Sequence, residues 1–341
     1  MSFEVTTRSA EPGFPLRVPP GSPELVIVGN LLIDDLVFED GRTLEAEPGG
    51  AVLYAALAAA LWRVRVGVVS RVGNDYPAAT LAELESRGVD LSGLHSIEGP
   101  GLRAWLRYGP AGRGVEHRPG AATHLAASPE VSEIPSPFRS AACIHIAPMP
   151  FNAQVEILSR LAATDARPAL SLDPHEAITP DRFDEWRALA ATLQVLSLGL
   201  DEVRIPGVLE RPDALIEELR AFRSLDLLFR MGERGGVLFA PRGASAAERC
   251  DWRAWARHVV DSTGAGDAFT AGYLAGRVRA RSRAASVARG LVSASFALED
   301  FGARGLLRAT PEEAERRLAR VPEPVLVPHP ARDHREPNAE L

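Results

Sequence analysis

The residues best suited to chemistry lie in one short stretch, DSTGAGDAFTAGYLAG, which begins at Asp261. Gly264, Ala265 and Gly266 predict a tight turn that a ligand can approach closely, because they carry little or no side chain. A helix-like apolar run follows, and the free amides of a first helical turn favour an anion such as a phosphate. Asp267 would repel that anion, so its position favours a general base that takes a proton from an attacking hydroxyl. The stretch therefore indicates phosphoryl transfer to an alcohol.

A plainer interpretation of this stretch is a glycine turn followed by an ordinary acid in the first turn of a helix, where Asp suits the helix dipole. The composition adds a constraint, because the chain has no Lys and all 38 of its basic residues are Arg. This excludes a P-loop lysine, a Schiff base and a pyridoxal anchor. A bound phosphate would have to be held by Arg, by backbone amides or by a metal ion.

The elements that must position these residues alternate between strand and helix. Short β-branched runs predict strands, and Ala- and Leu-rich runs predict helices. The predicted strands lie in ELVIVGN, RVGVVSRVG, CIHIAP, PALSLDP, LQVLSLG, LDLLFRMG and the HVV before the glycine turn, and helices in GGAVLYAALAAALW and PAATLAELESRG. This rhythm predicts an α/β fold with a mainly parallel central sheet and helices on both faces.

Two polar, alternating segments, at about 31–47 and 101–120, interrupt the rhythm and predict a small antiparallel β flap, here called the lid. Residues 1–23 and 322–341 are rich in Pro and predict a loose arm and a fraying tail around one domain over 24–321.

Charge and composition exclude several classes of protein. A net charge of -7 without a long basic block argues against a nucleic-acid-binding protein. No uninterrupted apolar stretch reaches membrane-spanning length, and the N-terminus lacks the pattern of a signal peptide. Two cysteines make no disulfide framework. These features favour a cytoplasmic protein with a small-molecule partner and no membrane.

From Asp261 to Leu274 the sequence resembles the second signature of the ribokinase-like (PfkB) carbohydrate kinases, and further similar segments follow the family's order over about residues 24 to 310. The resemblance implies a three-layer ribokinase-like fold, ATP and Mg²⁺ as cofactors and, in many such kinases, K⁺. It implies Asp267 as the base and the amides of Gly264, Ala265 and Gly266 as the anion hole. It also allows a homodimer formed through the lids.

On the substrate side, a strand ends at Gly29, and Asp34 stands where these kinases have an Asp that binds substrate hydroxyls. Gly49 and Gly50 match the pair that opens a substrate-facing helix, but Tyr54 replaces the Asn of the ribose kinases. Two carboxylate oxygens suit a vicinal diol, and an aromatic ring offers an apolar face to the C–H surface of a sugar ring. This combination favours a polyhydroxylated six-membered ring, either a cyclic polyol or a hexose, over free ribose, with myo-inositol as the first compound to test.

On the nucleotide side, RMGERGGVLF resembles the nucleotide loop of the family. The resemblance assigns Gly232, Gly235 and Thr263 to nucleotide binding, with Arg230 in place of the usual Thr. Arg230 would then help to neutralise the phosphates in a chain without Lys.

The Asn-x-x-Glu motif that the family links to magnesium is degenerate in SLGLDEVR, where Asp201 and Glu202 both remain candidates for the metal. Asp173, at a predicted strand end, is a minor candidate for the site. His145 favours a packed position in a strand, and His175 with Glu176 favours helix capping over metal binding. The lid arginines favour an exposed face over a phosphate site; they are Arg103, Arg107, Arg113 and Arg118.

The sequence thus predicts an ATP-dependent kinase that acts on a small polyhydroxylated substrate. A nucleoside kinase is the first alternative, since it would share the machinery and add a pocket for a base. A catalytically weak, sugar-sensing pseudokinase is the second, supported by the degenerate metal motif and opposed by the intact turn before Asp267.

Overall fold

The structure is a computed structural model that describes residues 14, 18–110, 112–164, 168–204, 225–241 and 249–327. The described strands are β1 Leu25–Val28, β2 Leu32–Val37, β3 Thr43–Gly49, β4 Val66–Val72, β5 Asp90–Ser96, β6 Arg103–Gly109, β7 Gly112–His117, β8 Cys143–Ile146, β9 Ala169–Leu172, β10 Val195–Gly199, β11 Asp226–Arg230, β12 Gly236–Phe239, β13 Arg249–Trp252 and β14 Val325–Val327. The described α-helices are α1 Ala51–Ala60, α2 Ala78–Ser86, α3 His124–Ala127, α4 Phe151–Ala162, α5 Phe183–Ala190, α6 Ala265–Val278, α7 Arg283–Leu298, α8 Arg304–Arg308 and α9 Pro311–Leu318.

A ten-stranded sheet runs through the centre in the order β14-β13-β12-β11-β10-β9-β8-β1-β4-β5. From β5 to β11 all neighbours pair in parallel, and the β11, β12, β13 and β14 neighbours pair antiparallel. Strands such as β1 and β8 are buried along their whole length, as expected of apolar runs covered on both faces. The predicted mainly parallel α/β sheet is confirmed.

Helices cover both faces of this sheet and create two apolar cores. One core joins α1, α6 and α7, whose small residues allow close packing around Tyr273, Leu274 and Val292. The other core joins α4 and α5 around Ile157, Trp186 and the opposite sheet face. Among the described helices, none is both long and apolar enough to cross a membrane.

Three details differ from the sequence prediction. The HVV segment is not a strand, because the Val260 amide bonds to the Leu298 carbonyl beside α7 and Val259 is 62% exposed. Strand β5 was not predicted, since its exposed edge position needs no apolar run. Strand β14 pairs with β13 inside the region predicted as a tail. The predicted arm over 1–23 lies mostly outside the described residues.

The lid is a separate four-stranded sheet in the order β3-β2-β6-β7. Its segments match the two predicted lid pieces, although β2 and β6 pair in parallel. Residues directly opposite each other share a face, and successive residues alternate between faces. Asp34, Ala104 and His117 form one row across the lid, so they share a face with Tyr108 and Arg113. This face is called the inner face below, because it contacts the glycine turn before α6.

Candidate active site

The turn before α6 has the geometry that its sequence predicts. Gly264 lies in the left-handed region at φ 71°, and a Cβ there would stand 2.0 Å from Cδ1 of Tyr54. Only glycine fits both the conformation and the space. No side chain caps the N-terminus of α6 by a hydrogen bond. The first turn of α6 therefore has the uncapped N-terminus that an anion site requires, although the Ala265 amide donates to the Ser262 carbonyl at 3.3 Å.

Asp267 lies in the first turn of α6 and is partly buried. Within the described part of the chain, its carboxylate makes no ion pair with any basic side chain. Burial raises the pKa of Asp267, and the charges of Arg230 and Arg113 oppose that rise. An unpaired carboxylate with a raised pKa at the mouth of an anion site is equipped to accept a proton near neutral pH.

Arg230 lies beside this turn, at the end of β11. Its Nη2 atom is 2.8 Å from Oδ1 of Asp173 and 3.4 Å from Oε2 of Glu202. Its Nη1 atom would be 1.7 Å from a Cβ on Gly266, so the guanidinium lies against the anion site. Burial raises the pKa of Asp173 and that of Glu202, and the positive charge of Arg230 opposes this rise. Arg230 thus lies next to two carboxylates at the edge of the glycine turn.

The two acids of the degenerate metal motif, Asp201 and Glu202, lie in different surroundings. Glu202 accepts a hydrogen bond from the Gly199 amide and turns toward Arg230. Asp201 is exposed and forms no ion pair among the residues that the structure describes. Of the two acids, Glu202 is therefore the one that faces the site. Asp173, a minor candidate in the sequence, lies beside it.

Gly232 and Gly235 lie in the loop between β11 and β12, next to Arg230 along the chain. The Met231 amide bonds to the Gly235 carbonyl and closes this loop at 2.8 Å. Thr263 faces away from it, because its hydroxyl donates to Asp261 and accepts from the lid. The structure thus brings Gly232, Gly235 and Arg230 together and places Thr263 at the lid.

Asp34 provides a second unpaired carboxylate, on the inner face of the lid. Its side chain is 4% exposed, and it accepts no hydrogen bond from the residues that the structure describes. Burial raises its pKa to about 7, and Arg113 works against this rise. A Cβ on Gly49 would stand 2.1 Å from Oδ2 of Asp34, so this glycine leaves room for the carboxylate. Gly50 follows directly and precedes α1.

The sequence prediction requires the Tyr54 ring to face the substrate, but the structure buries it. Its side chain is 2% exposed, and its ring packs against Gly264. Its hydroxyl is buried without a hydrogen-bond partner. No face of the ring is open to a substrate, because the left-handed glycine lets the ring fill the space behind the turn. The apolar sugar-binding face inferred from Tyr54 is therefore not present.

The lid reaches the glycine turn through two side chains that the sequence did not single out for this role. The Tyr108 hydroxyl donates to Oδ2 of Asp261 at 2.8 Å. Arg113 Nη1 donates to Oγ1 of Thr263 at 2.5 Å. The Tyr108 ring also packs between Phe38 and Phe301. Their chain separations of about 150 residues explain why no local pattern indicates these contacts.

Three histidines meet at the other end of the inner face. The ring centroids of His124 and His175 are 4.5 Å apart, and those of His117 and His124 are 5.9 Å apart. Burial and the neighbouring rings lower the pKa of His124 to about 4, and burial lowers that of His175. Neutral imidazoles both donate and accept hydrogen bonds. No metal-binding group of three such residues occurs in the described ranges.

Two other predictions concern neighbouring residues. His145 is buried within β8, and its Nδ1 atom lies 3.1 Å from the Ser171 hydroxyl, as a packed strand residue would. Glu176 accepts a hydrogen bond from the Phe151 amide at the first residue of α4 and pairs with Arg182. Glu176 therefore contacts the start of α4, earlier in the chain, and does not cap a helix that follows Pro174.

The fold and this arrangement define an α/β phosphotransferase that acts on an alcohol group. Residues 22–309 match the pfkB family of carbohydrate kinases, and the chain belongs to this family. A cytidine kinase of Thermococcus kodakarensis is 30% identical over 283 residues, which cover 82% of this chain and 97% of that kinase. A fructokinase of Escherichia coli is 28% identical over 277 residues, which cover 75% of this chain and 84% of that enzyme.

Solved structures show the same fold. The ribokinase of Cryptococcus neoformans var. grubii serotype A, in complex with ADP, superposes with a TM-score of 0.69 at 20% identity over 87% of this chain and 100% of that chain. The predicted ribokinase-like fold is confirmed. The chain is thus a sugar or nucleoside kinase, and its acceptor is a hydroxyl group.

Proposed function

We propose that this kinase transfers the γ-phosphoryl group of ATP to a hydroxyl of a nucleoside. The unpaired carboxylate of Asp267 at the open N-terminus of α6 carries the mechanism. The acceptor hydroxyl gives its proton to Asp267 while its oxygen bonds to the γ-phosphorus. The bond from the γ-phosphorus to the bridging oxygen breaks, and ADP leaves. The amides of Gly264, Ala265 and Gly266 stabilise the charge that develops on the transferring group.

ATP would lie between the turn and the loop after β11. We assign Gly232 and Gly235 to the approach of the nucleotide and Arg230 to its phosphates. We also assign Thr263 to nucleotide binding, although its hydroxyl accepts a hydrogen bond from the lid. Arg230 offsets part of the negative charge of Asp173 and Glu202, which weakens their repulsion of a triphosphate.

Magnesium fits this site only in part. Arg230 fills the space between Asp173 and Glu202, so these acids form no ready cage of oxygen ligands. Mg²⁺ is commonly held by substrate phosphates with one or two carboxylates, and Glu202 is the carboxylate that we assign beside it. When bound, the ion would neutralise charge on the phosphates.

A K⁺ ion fits the turn poorly. Asp261 is the acid that begins the turn, and both of its carboxylate oxygens already accept hydrogen bonds. The donors are the Thr263 amide and hydroxyl, the Tyr108 hydroxyl and the Gly302 amide. The proposal therefore contains no step that depends on K⁺. A cytoplasmic location and a homodimer remain predictions from the sequence.

The acceptor is inferred from Asp34, the histidines and the cytidine kinase relative. Both oxygens of the unpaired Asp34 carboxylate suit two neighbouring hydroxyls, as on ribose. His117 lies in the same row of the lid, two strands from Asp34, which leaves room for a ring attached to the sugar. Neutral imidazoles can contact the face and edge of a base. Cytidine is therefore the first nucleoside to test.

A cyclic polyol such as myo-inositol is the second candidate, because Asp34 would also suit its vicinal hydroxyls. One argument for this candidate, an open face of the Tyr54 ring, is lost because Tyr54 is buried. A sensing pseudokinase has less support, since Asp267 is intact and unpaired.

The substrate is tested by ADP release with ATP and Mg²⁺ against cytidine, adenosine, ribose, fructose and myo-inositol at matched concentrations. We expect the highest kcat/KM with cytidine. A clear preference for a free sugar or for myo-inositol would overturn the nucleoside proposal and leave the kinase assignment intact.

The base is tested by Asp267→Asn, which keeps the size of the side chain and removes the proton acceptor. We predict that kcat falls roughly 10²- to 10⁴-fold, the usual contribution of a general base, while ADP binding is retained. Asp184→Asn is the matched control, because Asp184 also lies in the first turn of a helix and is 92% exposed. Near wild-type turnover in Asp267→Asn would show that Asp267 only suits the helix dipole.

A further inference from the structure

The four arginines of the lid have different partners. Arg103 and Arg118 both pair with Asp35 at 2.6 Å, and Arg107 pairs with Glu116 at 2.8 Å. Arg113, by contrast, pairs with no carboxylate among the residues that the structure describes. Three of the four lid arginines are therefore paired with carboxylates of the lid, and two of them share Asp35.

Arg113 extends from the inner face to the glycine turn. Its Nη1 atom donates to the hydroxyl of Thr263, one residue before Gly264. This bond uses one of the five N–H donors of a guanidinium. The bond brings the guanidinium to the residue directly before the amides that would hold the transferring phosphoryl group.

The charge of Arg113 acts on both unpaired carboxylates. It lowers the pKa of Asp34 on the lid and of Asp267 on α6. The acceptor must lie between these two carboxylates, because one binds its hydroxyls and the other takes its proton. The guanidinium therefore lies near the place where negative charge passes from ATP to the acceptor.

We propose that Arg113 is a catalytic residue that the lid supplies, and that it donates hydrogen bonds to the transferring phosphoryl group. The proposal rests on the phosphoryl transfer proposed above. A planar guanidinium matches phosphoryl oxygens with two parallel donors and keeps its charge at any working pH. Tyr108 also anchors the closed lid through Asp261, so the lid keeps a contact with the turn when the bond from Arg113 to Thr263 is lost. Closure over the acceptor would then complete the site and favour transfer to the acceptor over transfer to water.

The experiment compares Arg113→Ala with Arg107→Ala, a control in the same strand pair on the opposite face. We expect Arg113→Ala to lower kcat roughly 10²- to 10³-fold, as for the loss of a donor to the transition state, with ADP affinity unchanged. Added guanidinium at low millimolar concentration should restore part of the turnover, which a structural role would not allow. Arg107→Ala should stay within about twofold of the wild type, as expected for an exposed ion pair.

A second measurement does not need turnover. Titration calorimetry with ADP, Mg²⁺, aluminium fluoride and cytidine compares each variant with its own binding of ADP alone. The fluoride complex imitates the transferring phosphoryl group, so the wild type and Arg107→Ala should bind it more tightly than ADP, and Arg113→Ala should lose that gain.

Two results would overturn the proposal: an unchanged kcat with a higher KM for the acceptor, or a retained preference for the fluoride complex in Arg113→Ala. Failure of the proposed base has a different signature, since Asp267→Asn would keep its turnover while Arg113→Ala lost it.

Discussion

Asp34 and Asp35 are neighbours in β2, yet they lie on opposite faces of the lid in opposite environments. Asp35 accepts hydrogen bonds from Arg103, Arg118 and the Ala46 amide, which lower its pKa to about 2. Asp34 is equally buried but has no such partners, and its pKa rises to about 7. One carboxylate is satisfied by the lid itself, and the other remains available for a ligand.

The outer and inner faces of the lid also differ in this way beyond Asp34 and Asp35. The outer face carries closed pairs, such as Arg107 with Glu116, and Arg118 over the ring of Trp105. The inner face carries groups with unused capacity, namely Asp34 and Arg113, beside Val115, which is 57% exposed. A buried polar group without a partner costs free energy, so the buried and unpaired Asp34 indicates that a substrate completes it, whereas Arg113 is exposed. The strand alternation thus separates residues that stabilise the lid from residues that serve the reaction.

Between the two faces of the lid, the largest effect is predicted for Asp34→Ala. Loss of two charged hydrogen bonds, each contributing about 1.5–3 kcal/mol, should lower kcat/KM roughly 10²- to 10⁴-fold, mainly through KM. Steady-state kinetics with the preferred acceptor measure this. Because the bound diol needs an ionised Asp34, kcat/KM of the wild type should also rise with pH up to about 7.

The control for that prediction is the folding stability of the same variant. The pKa of Asp34 is raised in the folded state, so its contribution to stability is present below pH 4 and is lost as the pH rises toward 7. Asp34→Ala should therefore be at least as stable as the wild type at pH 7. A large loss of stability there would mean that Asp34 supports the lid and does not wait for a substrate.

Asp35→Asn should have the opposite consequence. It weakens the pairs with two arginines, which are partly exposed and can be rehydrated, so we predict a loss of about 2–3 kcal/mol in the free energy of unfolding and a change in kcat below about threefold. Since the pKa of Asp35 is lowered from its ordinary 3.8 to about 2, its stabilising effect is present above pH 4 and is lost as the pH falls toward 2.

Urea unfolding at pH 7 and at pH 3 tests this prediction. The wild type should lose stability between these values, and Asp35→Asn should lose less of it. Equal losses in both proteins would show that Asp35 does not stabilise the folded lid through its charge.

How much of this arrangement the sequence predicts depends on how far apart the contacting residues are along the chain. The turn at Gly264 and the position of Asp267 in the first turn of the following helix follow from local composition and spacing, and the structure has both in place. The burial of Tyr54 does not follow, because it depends on Gly264, more than two hundred residues later. The contacts of Tyr108 and Arg113 depend in the same way on how the lid closes. Composition could not distinguish Arg113 from Arg107, since only the register of β6 and β7 places them on different faces.

The smallest effect is predicted at the far end of the inner face, for His117→Ala. If the histidine cluster contacts a base, the loss of one ring contact of about 0.5–1.5 kcal/mol should raise the KM for cytidine roughly two- to tenfold. The KM for ribose should not change, because ribose lacks the base. Glu116→Ala, one residue away on the outer face, is the control and should change neither value by more than about twofold. Initial rates of ADP release with both acceptors give the four KM ratios. Equal effects of His117→Ala on cytidine and ribose would place the histidines against the sugar and would contradict the assignment of a base to this end of the lid.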